Sequence, residues 1–369
     1  MNRSLARPEL VAWARLARTP RVGPLTFHAL LARHRTAAAA LEALPRLARS
    51  TPLTPPPAAQ IEAELGALED MGARLIASCE PDYPPLLAQL DAPPPVLGVR
   101  GDAKLLARPT IAIVGAREAS GAGLMLAERI AKDLGEAGFV VVSGLARGMD
   151  GAAHKGALAT GTAAVLAGGL DHPYPPQNLK LHEAICARGV VVSEAPLGSV
   201  ARARDFPRRN SIISGVSRAV VVIEAALRSG SLITARAAAD QGREVMAAPG
   251  SPLDPRARGA NGLIKTGATL IENADDIIAA LGEGAPPLRP RSVGPLFDEA
   301  PPPAIAAELA RKIARLLSPT PIHVNDLARL TEAPAGAVSA ALMELELEGS
   351  AASLPGGYAA SPAAAFPPS

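Results

Sequence analysis

Cysteine is nearly absent from this 369-residue chain, and the shortage excludes two designs at once. Cys79 and Cys186 stand far apart and in no C-x-x-C arrangement, so neither a disulfide framework nor a zinc cluster is expected. Sparing use of thiols fits a reducing cytosol. Long hydrophobic runs are missing as well. The longest apolar stretches, such as Phe139–Val142 and Ala219–Ile223, fall far short of the roughly 20 residues that cross a bilayer. The N-terminus carries Arg3 and Arg7 but lacks the apolar run and small-residue cleavage site of a signal peptide. A soluble cytoplasmic protein is the expectation. Aromatics number nine (one Trp, three Tyr, five Phe), too few for repeated base-stacking platforms. Lysine is scarce too: 31 of the 37 basic residues are arginine, whose planar fork suits phosphate oxygens.

What is present is ordinary globular composition, 48% hydrophobic and 20% charged, in a chain long enough for two or three domains and a sizeable core. The 33 glycines and 37 prolines predict prominent loops and linkers. The formal net charge of +2 conceals a segregation. The first 50 residues carry nine Arg against Glu9 and Glu42. Residues 73–285 are near balance, with 22 basic and 21 acidic side chains, and residues 318–369 hold Arg329 alone against five acids.

Residues 1–72 read as a helical domain, with apolar residues at helical spacing in Leu10–Leu16, Leu25–Leu31 and Ile61–Leu68 and Pro and Gly breaks between them. Arg21-Val-Gly-Pro ahead of a helix resembles half of a helix-hairpin-helix, whose glycine turn can offer N–H groups to a phosphate. For a single hairpin the favoured reading is a small bundle with a solvated arginine face. From about Ile76 the pattern changes to strand–loop–helix alternation. Strands are expected at Thr110–Val114, Phe139–Ser143, Thr162–Ala167, Val190–Ser193, Ala219–Ile223 and Glu244–Ala247, mostly apolar on both faces as strands of a sheet covered on both sides must be. Helices are expected at Gly121–Leu134, Asp150–Ala159, Gln177–Ala187 and Ser231–Asp240, and a lead-in over Tyr83–Arg100 extends the domain. Over residues 73–285 this predicts an α/β fold with a doubly wound, mostly parallel sheet. Residues 286–303, with three consecutive prolines at 301–303, read as a linker. Within residues 304–369, helices over 304–317, 324–330 and 334–347 followed by two strand-like pieces around Gly357 describe a winged helix.

Glycines and polar residues follow the strands: Gly115-Ala116-Arg117, Ser143-Gly144-Leu-Ala-Arg147-Gly148-Met-Asp150, Gly168-Gly-Leu-Asp171, Phe206-Pro-Arg208-Arg209-Asn210-Ser211 and Arg228-Ser-Gly230-Ser231. Loops after the carboxyl ends of parallel strands converge on one rim, where glycine admits close backbone approach and helix starts attract anions. Any one loop is as well explained by a tight turn and a solvated arginine; the succession favours an anion site. That anion is not a dinucleotide: Gly115, Gly121 and Gly123 do not space as G-x-G-x-x-G, and the next strand ends in Ser143 without an acid. Walker, G-x-S-x-G and H-E-x-x-H motifs are absent. Asp150 and His154, four apart, could share a metal, but an N-cap and a packed histidine are the expected roles. Asp171-His172 and His182-Glu183 are adjacent pairs that point to different sides of a helix or strand. No catalytic residue, metal or cofactor is therefore predicted. Residues 202–209, with net charge +3, point to a polyanion and so to nucleic acid.

The runs SGLARGMDGAAHKGAL (143–158), AVLAGGLDHPYPPQN (164–178), SEAPLG (193–198), FPRRNSIISGVS (206–217), EAALRSGSLITARAAADQGREVMAAPG (224–250) and GANGLIKTGA (259–268) together resemble the DprA/Smf family, as does Gly115-Ala116-Arg117 for its Gly-Ser/Ala-Arg motif. The resemblance implies a Rossmann-like domain flanked by an N-terminal SAM-like or helix-hairpin-helix-like domain and a C-terminal winged helix. It implies a non-enzymatic single-stranded DNA binder of natural transformation that protects incoming strands and loads the RecA recombinase on them, helping to overcome single-strand-binding protein. Homodimers through the Rossmann-like domain are also implied, and the apolar end near residues 219–271 is the expected interface. By the family pattern Arg117 and Lys180 contact the strand from a pocket, with Arg147, Arg209 and Asn210 nearby. Joined to the loop reading, this gives a DNA-binding set of Gly115, Ala116, Arg117, Ser143, Gly144, Arg147, Gly148, Lys180, Arg208, Arg209, Asn210, Gly230 and Ser231. One departure stands out. The family reads R-N-R after F-P-x, whereas here Arg209-Asn210 is followed by Ser211, so one charge is missing: either that position contributes less or Arg208 substitutes for it.

A winged helix ordinarily binds DNA through its third helix. Here that helix holds Glu344, Glu346 and Glu348 and no basic residue, so a contact to protein or a stabilising role is expected. Two competing functions are a nucleotide phosphoribohydrolase-like enzyme on the same rim, whose P-G-G-x-G-T-x-x-E motif is absent, and a duplex-specific regulator acting through the winged helix.

Overall fold

Proline opens the first two helices, α1 (Arg7–Ala17) and α2 (Pro24–His34), where a residue without an N–H costs nothing. The next helix, α3 (Ala37–Leu47), escapes the periodicity reading because its buried stripe of Ala37, Ala40 and Leu44 is written mostly in alanine and Pro45 lies inside it. A fourth, α4 (Ala58–Asp70), leads to the sheet. The computed structural model describes residues 3–47, 53–282, 303–317, 321–354 and 357–361. Its contacts divide the chain into one unit of Met1–Leu5 with Glu62–Arg289 and another of Ala6–Ile61 with Pro290–Ser369.

The first unit alternates strand and helix: β1 (Ala73–Ala77), β2 (Val96–Gly101), β3 (Thr110–Val114), α5 (Gly121–Glu136), β4 (Val140–Ser143), α6 (Met149–Ala157), β5 (Thr162–Leu166), α7 (Leu179–Arg188), β6 (Val190–Ser193), α8 (Phe206–Gly215), β7 (Ala219–Val222), α9 (Gly230–Asp240), β8 (Glu244–Ala247), α10 (Arg258–Lys265), β9 (Thr269–Leu270) and α11 (Ala274–Leu281). Sheet order is β1-β2-β6-β5-β4-β3-β7-β8-β9, antiparallel at β1/β2 and β2/β6 and parallel elsewhere. This is the mostly parallel, doubly wound sheet expected. Every residue of β3 to β7 is buried, and alternate side chains feed two cores: Ala112, Val142 and Val220 one face, Ile111, Ile113 and Val221 the other. From β3 the chain winds outward through β4, β5 and β6, then returns to lay β7 on the other side of β3. The β3/β7 junction is the topological switch point, where a crevice opens beyond the strand ends.

In the second unit α12 (Pro303–Leu316), α13 (Val324–Thr331), α14 (Ala335–Leu347) and the antiparallel hairpin of β10 (Ala351–Leu354) and β11 (Gly357–Ala360) form the winged helix. Of the expected linker, residues 286–302 lie outside the described residues, and Pro303 already opens α12. α14 buries side chains toward two cores, so no single apolar stripe marks it. Val338, Leu342 and Leu345 face Ile313, Leu327 and Tyr358, whereas Met343 and Leu347 join Leu16, Phe27, Leu30 and Leu44 of α1–α3. The protein surface met by the acidic helix is thus the chain's own N-terminal bundle. Among the described residues no helix is long and apolar enough to cross a membrane.

Candidate nucleic-acid interface

At the switch point the loops after β3, β4 and β7, with the starts of α8 and α9, enclose a cavity of about 960 Å³. Gly115, Ala116 and Arg117 line it from the first loop, Ala146 and Arg147 from the second, Phe206, Arg209 and Asn210 from α8, and Gly230 and Ser231 from α9. The exposed Arg117 lays its guanidinium over Phe206, 5.3 Å from the ring centroid, a cation–π arrangement. Arg147 is exposed as well, and among the described residues no carboxylate lies within ion-pair distance of either arginine. Arg228 and Arg256 add charge to the wall, although Arg256 is forked onto Asp254 at 2.8–3.2 Å.

The helix starts differ in what they can offer. At α5 the Glu224 carboxylate accepts the Ser120 N–H (2.9 Å) and the Ser120 hydroxyl, so an internal anion already occupies that terminus. At α9 the cap is the neutral Ser229, whose hydroxyl accepts from Ser231 N–H at 3.4 Å. The second loop is rigidly specified. Gly148 has φ +74°, and a Cβ there would meet the Ala116 and Arg117 carbonyl oxygens at 2.4 and 2.6 Å; the next amide, Met149 N–H, donates to Ala116 O at 3.2 Å. The first two loops therefore fit only with glycine at 148.

Eight of the thirteen expected residues line the cavity: Gly115, Ala116, Arg117, Arg147, Arg209, Asn210, Gly230 and Ser231. Ser143, Gly144 and Gly148 sit behind it. The buried Ser143 hydroxyl donates to Ile113 O at 2.6 Å and ties β4 to β3. Lys180 and Arg208 do not line the cavity: Lys180 is exposed on α7, and Arg208 forms an ion pair with the nearly buried Glu194. Arg208 therefore does not stand in the cavity for the charge missing at Ser211. Asp150 is not an N-cap. The chain enters α6 at Met149 with Gly148 in the cap position, and Asp150 lies inside the first turn, buried. His154 is packed as expected. The Thr162 hydroxyl donates to Val141 O (2.6 Å) and so accepts from His154 Nδ1–H (2.9 Å); burial, then the nearby Arg209 charge, pushes the imidazole down to about 3. Sequence reasoning missed Phe206, Arg228 and Arg256 as lining residues. Phe206 and Arg228 lay within motifs already singled out, whereas Arg256 had only its charge as a signal.

The family model described as DNA recombination-mediator protein A matches residues 74–282. A DprA-like N-terminal HHH domain matches 7–67, and a DprA winged helix domain matches 297–357. The chain is 38% identical over 311 residues to Protein Smf of Escherichia coli (strain K12), covering 82% of this chain and 81% of that protein. It is 41% identical over 222 residues to the DNA processing protein DprA of Bacillus subtilis (strain 168), covering 59% and 75%. Among solved structures it resembles DNA processing protein A from Streptococcus pneumoniae, with a TM-score of 0.61, 32% identity, and 75% and 98% of the two chains covered. It also resembles the Helicobacter pylori protein described for its single-stranded DNA binding mode, with a TM-score of 0.53, 29% identity, and 57% and 95% covered.

Proposed function

The chain belongs to the DNA recombination-mediator protein A (DprA/Smf) family, and from that premise we propose that it binds single-stranded DNA in the switch-point cavity and delivers the strand to the RecA recombinase during transformation. The observation that carries the reading is the pair of unneutralised arginines, Arg117 and Arg147, at the mouth of a cavity of about 960 Å³. Ionic contact to phosphates supplies the affinity, and a concave wall admits a splayed base that a stacked duplex cannot insert. The strand is held by Arg117, Arg147, Asn210 and the backbone at Gly115, Ala116, Gly230 and Ser231. Lys180 and Arg208 are left for a strand that continues beyond the cavity.

Two further features support the choice. Of the two carboxylates that line the cavity, Glu118 and Asp150, the second is buried and already accepts backbone hydrogen bonds, which leaves it unsuited to hydrolytic work. The acidic α14 packs on α1–α3, which argues against duplex readout through the winged helix. The protein acts as a homodimer through the sheet domain in the cytoplasm, engages RecA and helps displace single-strand-binding protein.

A gel-shift series with single strands and duplex across several salt concentrations tests the reading. Single strands bind preferentially, with a log–log salt slope of roughly −0.7 per neutralised phosphate. Preference for duplex, or release of free base from nucleoside monophosphates, would replace this function with one of its competitors.

A further inference from the structure

The inner wall of the cavity holds a buried charged pair. The Arg209 side chain is 6% exposed and that of Asp150 9%, with Nη1 4.0 Å from Oδ2. Buried ions persist only when paired and hydrogen-bonded, and these are tied into the binding loops on both sides. Asp150 Oδ2 accepts from Gly144 N–H and Ala146 N–H at 3.2 Å each. Arg209 Nη1 donates to Val165 O at 3.3 Å, and the guanidinium stacks 5.4 Å from the centroid of Phe206, the ring that also carries Arg117. A Cβ on Gly144 would stand 1.3 Å from Arg209 Nη1, so glycine at 144 makes room for this guanidinium.

We propose that Asp150 is the positioning residue of the DNA-binding loop Gly144–Gly148, and that Arg209 is an internal strut between that loop and Phe206 with no phosphate contact of its own. The inference rests on the single-stranded DNA reading of the cavity. The loop needs such an anchor. Leu145, a bulky buried residue, is held at φ +59°, a conformation that persists only where surroundings over-determine it. Asp150 takes the amides on either side of it, while Asn178 Nδ2 donates to the Leu145 and Ala146 carbonyls at 2.8 and 3.0 Å. The residue delivered by this clamped backbone is the exposed Arg147. A phosphate that drew Arg209 Nη1 into the cavity would take it from Val165 O and from its place beside the buried Asp150 carboxylate.

The experiment separates affinity from phosphate count. Single-stranded DNA binding is measured against salt for the wild type, Arg117→Ala, Arg209→Gln, Asp150→Asn, the double variant Asp150→Asn/Arg209→Gln, and Gly144→Ala. Arg117→Ala flattens the log–log slope by about 0.7. Arg209→Gln, Asp150→Asn and Gly144→Ala each weaken binding by roughly tenfold, or about 1.4 kcal/mol, at unchanged slope. The neutral double variant regains most of the loss, because neither buried charge is left without its partner. A slope loss of about 0.7 in Arg209→Gln makes Arg209 a phosphate contact and overturns the inference; so does a double variant no better than the singles. If circular dichroism shows either charge-removing variant unfolded, the slope of Gly144→Ala, which keeps both charges and only displaces the guanidinium, decides alone. A wild type whose binding does not respond to salt removes the DNA reading itself, a result distinct from any of these.

Discussion

Two glycine turns in this molecule look alike and behave differently. Gly115-Ala116-Arg117 in the sheet unit and Arg21-Val22-Gly23-Pro24 in the helical unit each pair an arginine with glycine ahead of a helix. Around the first, the arginine stays exposed over a cavity. At the second, Arg21 (φ +68°) donates to the Glu346 and Leu347 carbonyls, the last turn of α14, where helix carbonyls lack partners and the dipole favours a cation. The Glu346 carboxyl then accepts from the Thr26 hydroxyl in the first turn of α2. An anion-binding signature is therefore only an offer, and its use depends on whether the chain brings its own acceptors. The start of α5, taken by Glu224, teaches the same lesson inside the sheet unit.

The largest test breaks the helical side of this comparison. Leu347, 4% exposed, fills the core shared by α14 and α1–α3, and Leu347→Ala should cost about 2–5 kcal/mol of that unit's stability, read from its denaturant midpoint. Single-stranded DNA affinity measured below the transition should stay within about twofold of wild type; a parallel loss would make the helical unit a second DNA contact. Next comes Arg117→Ala on the sheet side. Removing one charge-assisted contact should cost about 1.5–3 kcal/mol of binding with no change in melting temperature. Retained affinity would take Arg117 out of the interface.

Strands β3 to β7 were legible because a sheet covered on both faces is written mostly in Val, Ile and Ala, without polar alternation. β9 was not: its two residues are both exposed and carry no periodicity. The anion rim could be read from loop positions alone, since topology sends every loop after a parallel strand to one edge. Burial of Arg209 could not, because an arginine code is the same whether its fork meets solvent or Asp150. Lys180 and Arg208, expected in the DNA-binding set, lie outside the cavity lining for a related reason. Helix register, which spacing from the strand does not set, turns them elsewhere. The contact of Arg21 with Glu346 spans 325 residues, a separation at which no local pattern signals pairing.

Acid should sharpen the contrast, since His154 of the sheet unit and Glu346 of the helical unit are shifted in opposite senses. Burial, then Arg209, depresses His154 to about 3, so the unfolded chain binds the extra proton first; stability is present above pH 6.5 and lost as pH falls toward 3. The loss is at most about 1.4 kcal/mol per pH unit, and His154→Gln should flatten this limb of the sheet unit's stability–pH curve. Glu346 is raised above 4.5 by burial, so its contribution runs the other way, full below pH 4.5 and lost as pH rises through its folded value. Lowering pH from 7 to 5 should therefore weaken the sheet unit while favouring the helical unit, as hydrogen exchange of the two would report. Loss of protection in both together would break the contrast.

The smallest effect is the most direct probe of the hairpin turn. Arg21→Ala removes two hydrogen bonds at the partly buried end of α14 and should cost about 0.5–1.5 kcal/mol of the helical unit's stability. If the turn were a phosphate site, the same substitution would flatten the salt dependence of DNA binding by about 0.7, as Arg117→Ala does. Because its guanidinium is committed to the carbonyls of α14, the slope should not move. An arginine that alters stability without altering the phosphate count marks a turn already satisfied from within. Arg117, altering the count without altering stability, marks one left open for a ligand.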